Sequence, residues 1–167
     1  MILVLVGMKK KINTGSQFNS FDFYSVSLSS TGQYQTAVVN GTSGVYRKIY
    51  ISSDFGETWA ARGTNQDWYS VSLSSTGQYQ TAVVYGGQIY ISSDFGETWA
   101  ARESNRDWYS VSLSSTGQYQ TAVVNDGQIY ISSDFGETWA ARESNRDWRS
   151  VSLSSTGQYQ TAVVNDG

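Results

Sequence analysis

The side chains best equipped for chemistry sit in one eight-residue string, Ser-Ser-Asp-Phe-Gly-Glu-Thr-Trp, at positions 52–59, 92–99 and 132–139. Asp54, Asp94 and Asp134 offer carboxylates for acid–base work or cation binding, and Arg62, Arg102, Arg142, Arg106 and Arg146 offer guanidinium groups for anions. Histidine and cysteine are both absent. That removes Ser-His and Cys-His nucleophiles, thiolate metal sites and the commonest zinc ligands. A short carboxylate followed two residues later by glycine is suited to accepting hydrogen bonds from the amides of its own turn. The string therefore reads as a structural turn. Its fixed positions are Ser52, Asp54, Gly56, Thr58 and Trp59, then Ser92, Asp94, Gly96, Thr98 and Trp99, then Ser132, Asp134, Gly136, Thr138 and Trp139. The hydroxyls are expected to brace the turn, and the tryptophan to provide the largest apolar burial in its unit.

The arginines recur at equivalent positions of successive units, which implies a symmetric ring of charge. Catalysis needs different residues in different roles converging on one bond. No catalytic residue, metal site or cofactor is assigned on this pattern. Asp67, Asp107 and Asp147 recur too, each before an aromatic or basic segment, and capping the following strand is favoured over ligand binding for them.

These residues must be carried by a repeated element. Residues 69–108 and 109–148 match at all but two positions, Tyr85 against Asn125 and Gly86 against Asp126. Within the unit, residues 69–74 alternate Tyr, Val and Leu with Ser, the period of a strand. Residues 75–77 turn the chain and 78–84 form a second strand rich in Val and Thr. A tight turn at 86–87 leads to a third strand over 88–92, the octapeptide turns again, and 98–102 is the fourth. Four antiparallel strands every 40 residues is the habit of a β-propeller blade.

The pattern Ser-x-Asp-x-Gly-x-Thr-Trp resembles the Asp-box, or BNR, repeat of sialidase- and sortilin-type propellers, where the box lies between strands three and four. The resemblance implies an all-β propeller of four-stranded antiparallel blades, about four per chain. A sialidase site would also need an arginine trio, a Tyr–Glu pair, an acid Asp and a proline-containing segment, and this chain has no proline. The enzyme reading is therefore disfavoured.

Sliding the unit back over the N-terminus puts Val4 and Val6 on the third-strand isoleucines, so residues 3–6 read as a strand and 9–13 as a box without its motif. One domain is expected over 1–167: degenerate strands three and four in 1–22, units at 23–67, 68–107 and 108–147, and strands one and two in 148–167. Both termini would then complete the last blade and remove an open sheet edge. Five extra residues interrupt the first unit within 40–48, where Asn40-Gly41-Thr42 reads as a hairpin turn in preference to a glycosylation acceptor.

Eleven basic and 14 acidic residues give a net charge of −3, without the basic face that nucleic acid requires. The apolar start, residues 1–8, is too short to span a bilayer and has its lysines after the apolar run, unlike a signal peptide. A soluble chain with no membrane partner is expected, in a compartment left open. Differences between units fall after strand two and before strand one, which places Tyr85, Arg106, Arg146, Arg149, Trp68, Trp108 and Trp148 on a candidate ligand face. For the tryptophans packing between blades is favoured over ligand contact, and for the arginines solvation is. The small residues of the strands favour shallow wedges and a larger ring, hence a homodimer with eight blades, with a closed four-bladed monomer as the alternative. The reading is a non-catalytic binding or scaffold module for glycans or proteins. A degenerate glycoside hydrolase and an inert repeat, natural or engineered, are the competing readings.

Overall fold

The computed structural model describes residues 6–7, 10–11, 23–40 and 47–165. Strands β3 (Phe23–Leu28), β4 (Gln35–Val39), β5 (Ile49–Ser52) and β6 (Ala60–Arg62) form one four-stranded antiparallel sheet in chain order. The same meander repeats in β7 (Trp68–Leu73), β8 (Gln80–Val84), β9 (Gly87–Ser92) and β10 (Ala100–Arg106). It repeats again in β11 (Trp108–Leu113), β12 (Gln120–Val124), β13 (Gly127–Ser132) and β14 (Ala140–Arg146). A fourth blade is begun by β15 (Trp148–Leu153) and β16 (Gln160–Val164), while β1 (Val6–Gly7) and β2 (Lys10–Lys11) pair as a separate hairpin. The described residues form no helix, so none is long and apolar enough to cross a membrane.

The core lies between blades. Val38, Ile49 and Ile51 of the first sheet pack on Trp68, Val71, Leu73, Ala82 and Val84 of the second. Val83, Ile89 and Ile91 then meet Trp108, Val111, Leu113, Ala122 and Val124 of the third. In the three complete blades the second strand is the most protected, and all five residues of β4, β8 and β12 are buried. Its alternate side chains point into the wedges on either side, so both faces of the strand are covered.

The first strands of adjacent blades lie side by side, and the Ser-Val-Ser-Leu alternation explains how. Each turns one backbone edge away from its own sheet, where amides would go unpaired. The serines of the preceding blade supply the acceptors: Val71 N–H donates to Ser25 Oγ at 3.2 Å and Leu73 N–H to Ser27 Oγ at 3.1 Å. The same pair of bonds joins Val111 and Leu113 to Ser70 and Ser72, and Val151 and Leu153 to Ser110 and Ser112. A buried side-chain bond reinforces each wedge, with Thr36 and Thr81 donating at 2.7 Å to Gln80 and Gln120 of the next blade.

Three features depart from the sequence expectation. Strand four continues to Arg106 and Arg146 in the second and third blades instead of ending at 102, across a bulge where Glu103 and Glu143 take φ values of 59° and 63°. Gln88 Nε2 fastens that bulge by donating to the Glu103 carbonyl at 2.7 Å. Strand one carries its own bulge, pairing Trp68 with Val84 and Ser70 with Val83, so Tyr69 is the extra residue. The ring is also not closed: β16 pairs only with β15 among the described residues, and β1 pairs with β2, Val6 against Lys11 and Gly7 against Lys10. The rest of the expected N-terminal strand and box, and the turn at 41–46, lie outside the described residues.

Candidate functional site

The octapeptide aspartates turn inward on their own loops. Asp54 Oδ1 accepts the Thr58 amide at 2.9 Å and the Ser52 hydroxyl at 2.8 Å, and Oδ2 accepts the Thr58 hydroxyl at 2.6 Å. Ser52 Oγ in turn accepts the Gly56 amide at 2.9 Å. Asp94 and Asp134 repeat this arrangement. The Thr58 hydroxyl, then its amide, hold the Asp54 carboxyl below its ordinary value, as Thr138 does for Asp134. Burial works to raise Asp94, and the Thr98 hydroxyl and amide outweigh it. Each carboxylate thus spends three of its roughly four acceptor directions inside its own turn.

The box also fixes an aromatic ring in an unusual pose. Phe55, Phe95 and Phe135 take φ values of 63°, 63° and 62°, a left-handed conformation that is uncommon for a bulky residue. In return Phe95 stacks on Tyr34 of the preceding blade with centroids 4.5 Å apart, and Phe135 on Tyr79 at the same distance. The box tryptophans are half-buried, with Trp59 Nε1 donating to the Gly56 carbonyl at 3.1 Å. The expectation that they provide the largest burial is corrected here. The fully buried indoles are Trp68 and Trp108 at the start of strand one, each edge-on to Tyr90 or Tyr130 at 5.0 Å. Their position in the wedge between blades, and not at the turn, accounts for this.

Two of the repeated arginines are neutralised across blades at the box end. Arg62 pairs with Glu97 at 2.8 Å and Arg102 with Glu137 at 2.7 Å. Arg142 donates to the carbonyl of Ala141 at 2.9 Å. A shallow groove of about 370 Å³ runs between neighbouring boxes, with Tyr34, Arg62, Asp94 and Phe95 in its walls. Its polar groups belong to the structural bonds just described.

The other end of the blades is different. There the connections after strand two meet those before strand one, as in the bonds from Tyr85 N–H to the Asp67 carbonyl and Asn125 N–H to the Asp107 carbonyl. The strand-one bulge aims its extra residue along this end. Tyr24, Tyr69 and Tyr109 form a row across three blades, with centroids 5.1 and 4.5 Å apart, and the Arg149 guanidinium lies 4.8 Å over the Tyr109 ring. Tyr85 joins the row, 5.6 Å from Tyr69 and 6.5 Å from Tyr109. Burial, then the hydrogen bond with Tyr109, pushes the Tyr69 phenol well above the ordinary tyrosine range. The Asp107 charge beside it raises the Tyr85 phenol as well. Arg149 pairs with Asp147 at 2.6 Å, and that bond holds its charge against the cost of burial.

Of the residues placed on this face by sequence, Tyr85 and Arg149 therefore come together. Trp68 and Trp108 do not: complete burial between blades removes their rings from any exposed face. Trp148 is half-buried and packs against the cluster of Val123, Ile129 and Val151. Arg106 is exposed and rests 4.8 Å over the Tyr130 ring, and Arg146 donates to Ser144 Oγ at 3.4 Å. Asp67 and Asp147 take Arg47 and Arg149 as partners, both at 2.6 Å. Sequence reasoning missed Tyr24, Tyr69 and Tyr109, which it assigned to ordinary strand alternation. The replacement of that tyrosine by Arg149 in the last unit was the available signal.

Comparison with known proteins agrees with this architecture. The BNR/Asp-box repeat family matches residues 50–61, 90–101 and 130–141. No curated protein matches the chain. Among solved structures, YCF48 from Cyanidioschyzon merolae is 19% identical with a TM-score of 0.60, over 75% of this chain and 38% of its own. YCF48 bound to D1 peptide is 17% identical with a TM-score of 0.59, over 88% of this chain and 47% of its own. A GH74 enzyme from Niastella koreensis is 18% identical with a TM-score of 0.56, over 74% and 18%. This chain thus spans less than half the length of each, and at these identities the likeness is one of fold. With three matched boxes, each at the turn from strand three to strand four of a four-stranded blade, the chain carries Asp-box repeats on a β-propeller type of fold.

Proposed function

We propose that this chain is a non-catalytic binding and scaffold module that receives a glycan or a protein segment on its loop end and associates with itself, two chains sharing an eight-bladed ring. The observation that carries the binding reading is the row Tyr24–Tyr69–Tyr109–Arg149 with Tyr85 beside it. Aromatic faces next to a guanidinium and the carboxylates of Asp107 and Asp147 suit a partner that combines apolar surface with hydrogen-bonding groups. A rigid array of blades holds these groups in place without loop ordering, which lowers the cost of binding. The fold is compatible with a protein ligand, since one structural neighbour is YCF48 in complex with a peptide. Against catalysis stands the engagement of the box aspartates in their own turns.

The test is a glycan array and a peptide array probed with the full chain, followed by titration of any hit against Tyr85→Ala and Arg149→Ala. Both substitutions are expected to weaken binding about tenfold or more while leaving the melting temperature unchanged, in line with the loss of an aromatic or arginine anchor. No hit above background, or binding by both variants equal to that of the wild type, overturns the proposal. Sugar release from a fluorogenic sialoside or a glucan would instead restore the hydrolase reading.

A further inference from the structure

The two outermost blade faces of this chain are the two halves of a contact that the chain already makes three times. On β3, Tyr24, Val26 and Leu28 are 52%, 40% and 49% exposed, whereas Val71, Leu73, Val111 and Leu113 at the same positions are buried under the preceding blade. On β16, Val163 is 52% exposed, whereas Val38, Val83 and Val123 are fully buried under the following one. We infer that the β15–β16 face of one chain receives the β3 face of a second copy, head to tail. This rests on the self-association reading above and assigns its joint.

The polar groups match as the apolar ones do. Val26 and Leu28 amides stand where Val151 and Leu153 amides donate to Ser110 and Ser112, and the exposed Ser150 and Ser152 hydroxyls stand where those acceptors are. Ser30 N–H, Ser75 N–H and Ser115 N–H each donate at 2.8 Å to the carbonyl of the next blade's equivalent serine. Ser155 N–H and the Ser30 carbonyl of a second copy would extend that series. Thr161 is likewise positioned to donate to Gln35 of the second copy, as Thr121 does to Gln160 at 2.7 Å.

The aromatic evidence is independent. Tyr34, Tyr79 and Tyr119 each cover the turn glycine of the next blade, so that a Cβ at Gly77, Gly117 or Gly157 would lie 2.6 Å from the tyrosine Cβ. At Gly32 the same test meets nothing within 4 Å. Tyr159, the side chain that would cover Gly32 of a second copy, is 75% exposed. Phe55, the ring that Tyr159 would stack on, is 60% exposed, against 36% for Phe95 beneath Tyr34. At the loop end the joint would set Arg149 against Tyr24 and carry the aromatic row from one chain into the next. An occupant other than a second copy would have to reproduce this whole spacing, and this chain already carries it.

The test uses the full chain in light scattering on a sizing column across dilution, with Leu28→Glu, Val163→Glu and an equimolar mixture of the two. Wild type is expected at about twice 18.4 kDa. Each single variant should fall to the single-chain mass, with the concentration for half-assembly raised about 100-fold or more by a carboxylate buried without a partner. The mixture, at the highest soluble concentration, should recover a two-chain species, because each variant retains the face that the other has lost. Tyr159→Glu, at a largely solvated ring, gives the same C-terminal block should Val163→Glu fail to fold. A dimeric wild type that survives both blocks, or a mixture that stays at single-chain mass, refutes this joint and leaves self-association standing. A wild type at single-chain mass throughout refutes both.

Discussion

Replacing Asp94 by alanine removes the acceptor for three hydrogen bonds in the central box: the Thr98 amide at 2.9 Å, the Thr98 hydroxyl at 2.6 Å and the Ser92 hydroxyl at 2.8 Å. Bonds to a charged group contribute about 1.5–3 kcal/mol each, and neutral ones about 0.5–1.5. Thr98 is exposed, so water takes over its two donors, whereas the buried Ser92 hydroxyl loses its acceptor and keeps only the bond it receives from the Gly96 amide. The remaining loss is about 1–3 kcal/mol. For a chain of this size that is a fall of about 2–12 °C in melting temperature. Asp54→Ala and Asp134→Ala should lie in the same range, since their bonds repeat the same lengths closely. Because the folded carboxyl titrates below its ordinary value of 3.8, its contribution is present above that pH and is lost as pH falls through the lower, folded value. The difference between wild type and Asp94→Ala should therefore be constant near neutrality and shrink only below about pH 4. Thermal and urea melts of the three variants across pH 2.5–7 measure all of this. An unchanged melt, or a loss of ligand binding at unchanged stability, would refute the structural role of the box.

Three further outcomes are expected. Trp108→Ala should cost about 3–5 kcal/mol by urea melt, and Trp99→Ala less, because the first indole is fully buried and the second half-buried. Gln80→Ala should cost about 1–3 kcal/mol, since it leaves the Thr36 hydroxyl and the Gly77 carbonyl unpaired in a buried wedge. Stability should decline once pH passes the ordinary tyrosine value of 10, because the folded Tyr69 phenol holds its proton more tightly than the unfolded one, and Tyr69→Phe should flatten that decline in melts taken from pH 8 to 11.5.

The blade itself was legible in the sequence because its signals are local. Alternation of Ser with Val and Leu marks strand one, and the Asp-Phe-Gly turn marks the passage from strand three to four. What stayed hidden depends on neighbours. Nothing in residues 68–73 alone shows that Ser70 and Ser72 serve amides 41 residues ahead, or that a bulge turns Tyr69 out of the alternation. For Trp68 and Trp108 the sequence favours packing between blades over ligand contact, and the wedge takes them in completely; that they outrank the box tryptophans in burial is not visible from their neighbours in sequence. The row at the loop end was half legible: Tyr85 and Arg149 stood out as departures from the repeat, whereas Tyr24, Tyr69 and Tyr109 blended into it.

The serine hydroxyls that serve the neighbouring strand have a consequence for how such a chain lengthens. Each blade offers the next an identical pattern of two serine hydroxyls, one backbone N–H, one threonine hydroxyl and one tyrosine, so the bonds between blades do not record which blade stands where. Deleting residues 69–108 would bring the third blade against the first with every one of those partners present, and duplicating them would add a blade on the same terms. Deleting half that number would leave Ser and Val amides facing side chains of the wrong kind. The architecture therefore tolerates change in whole multiples of the unit and resists anything smaller, which is how near-identical units persist side by side.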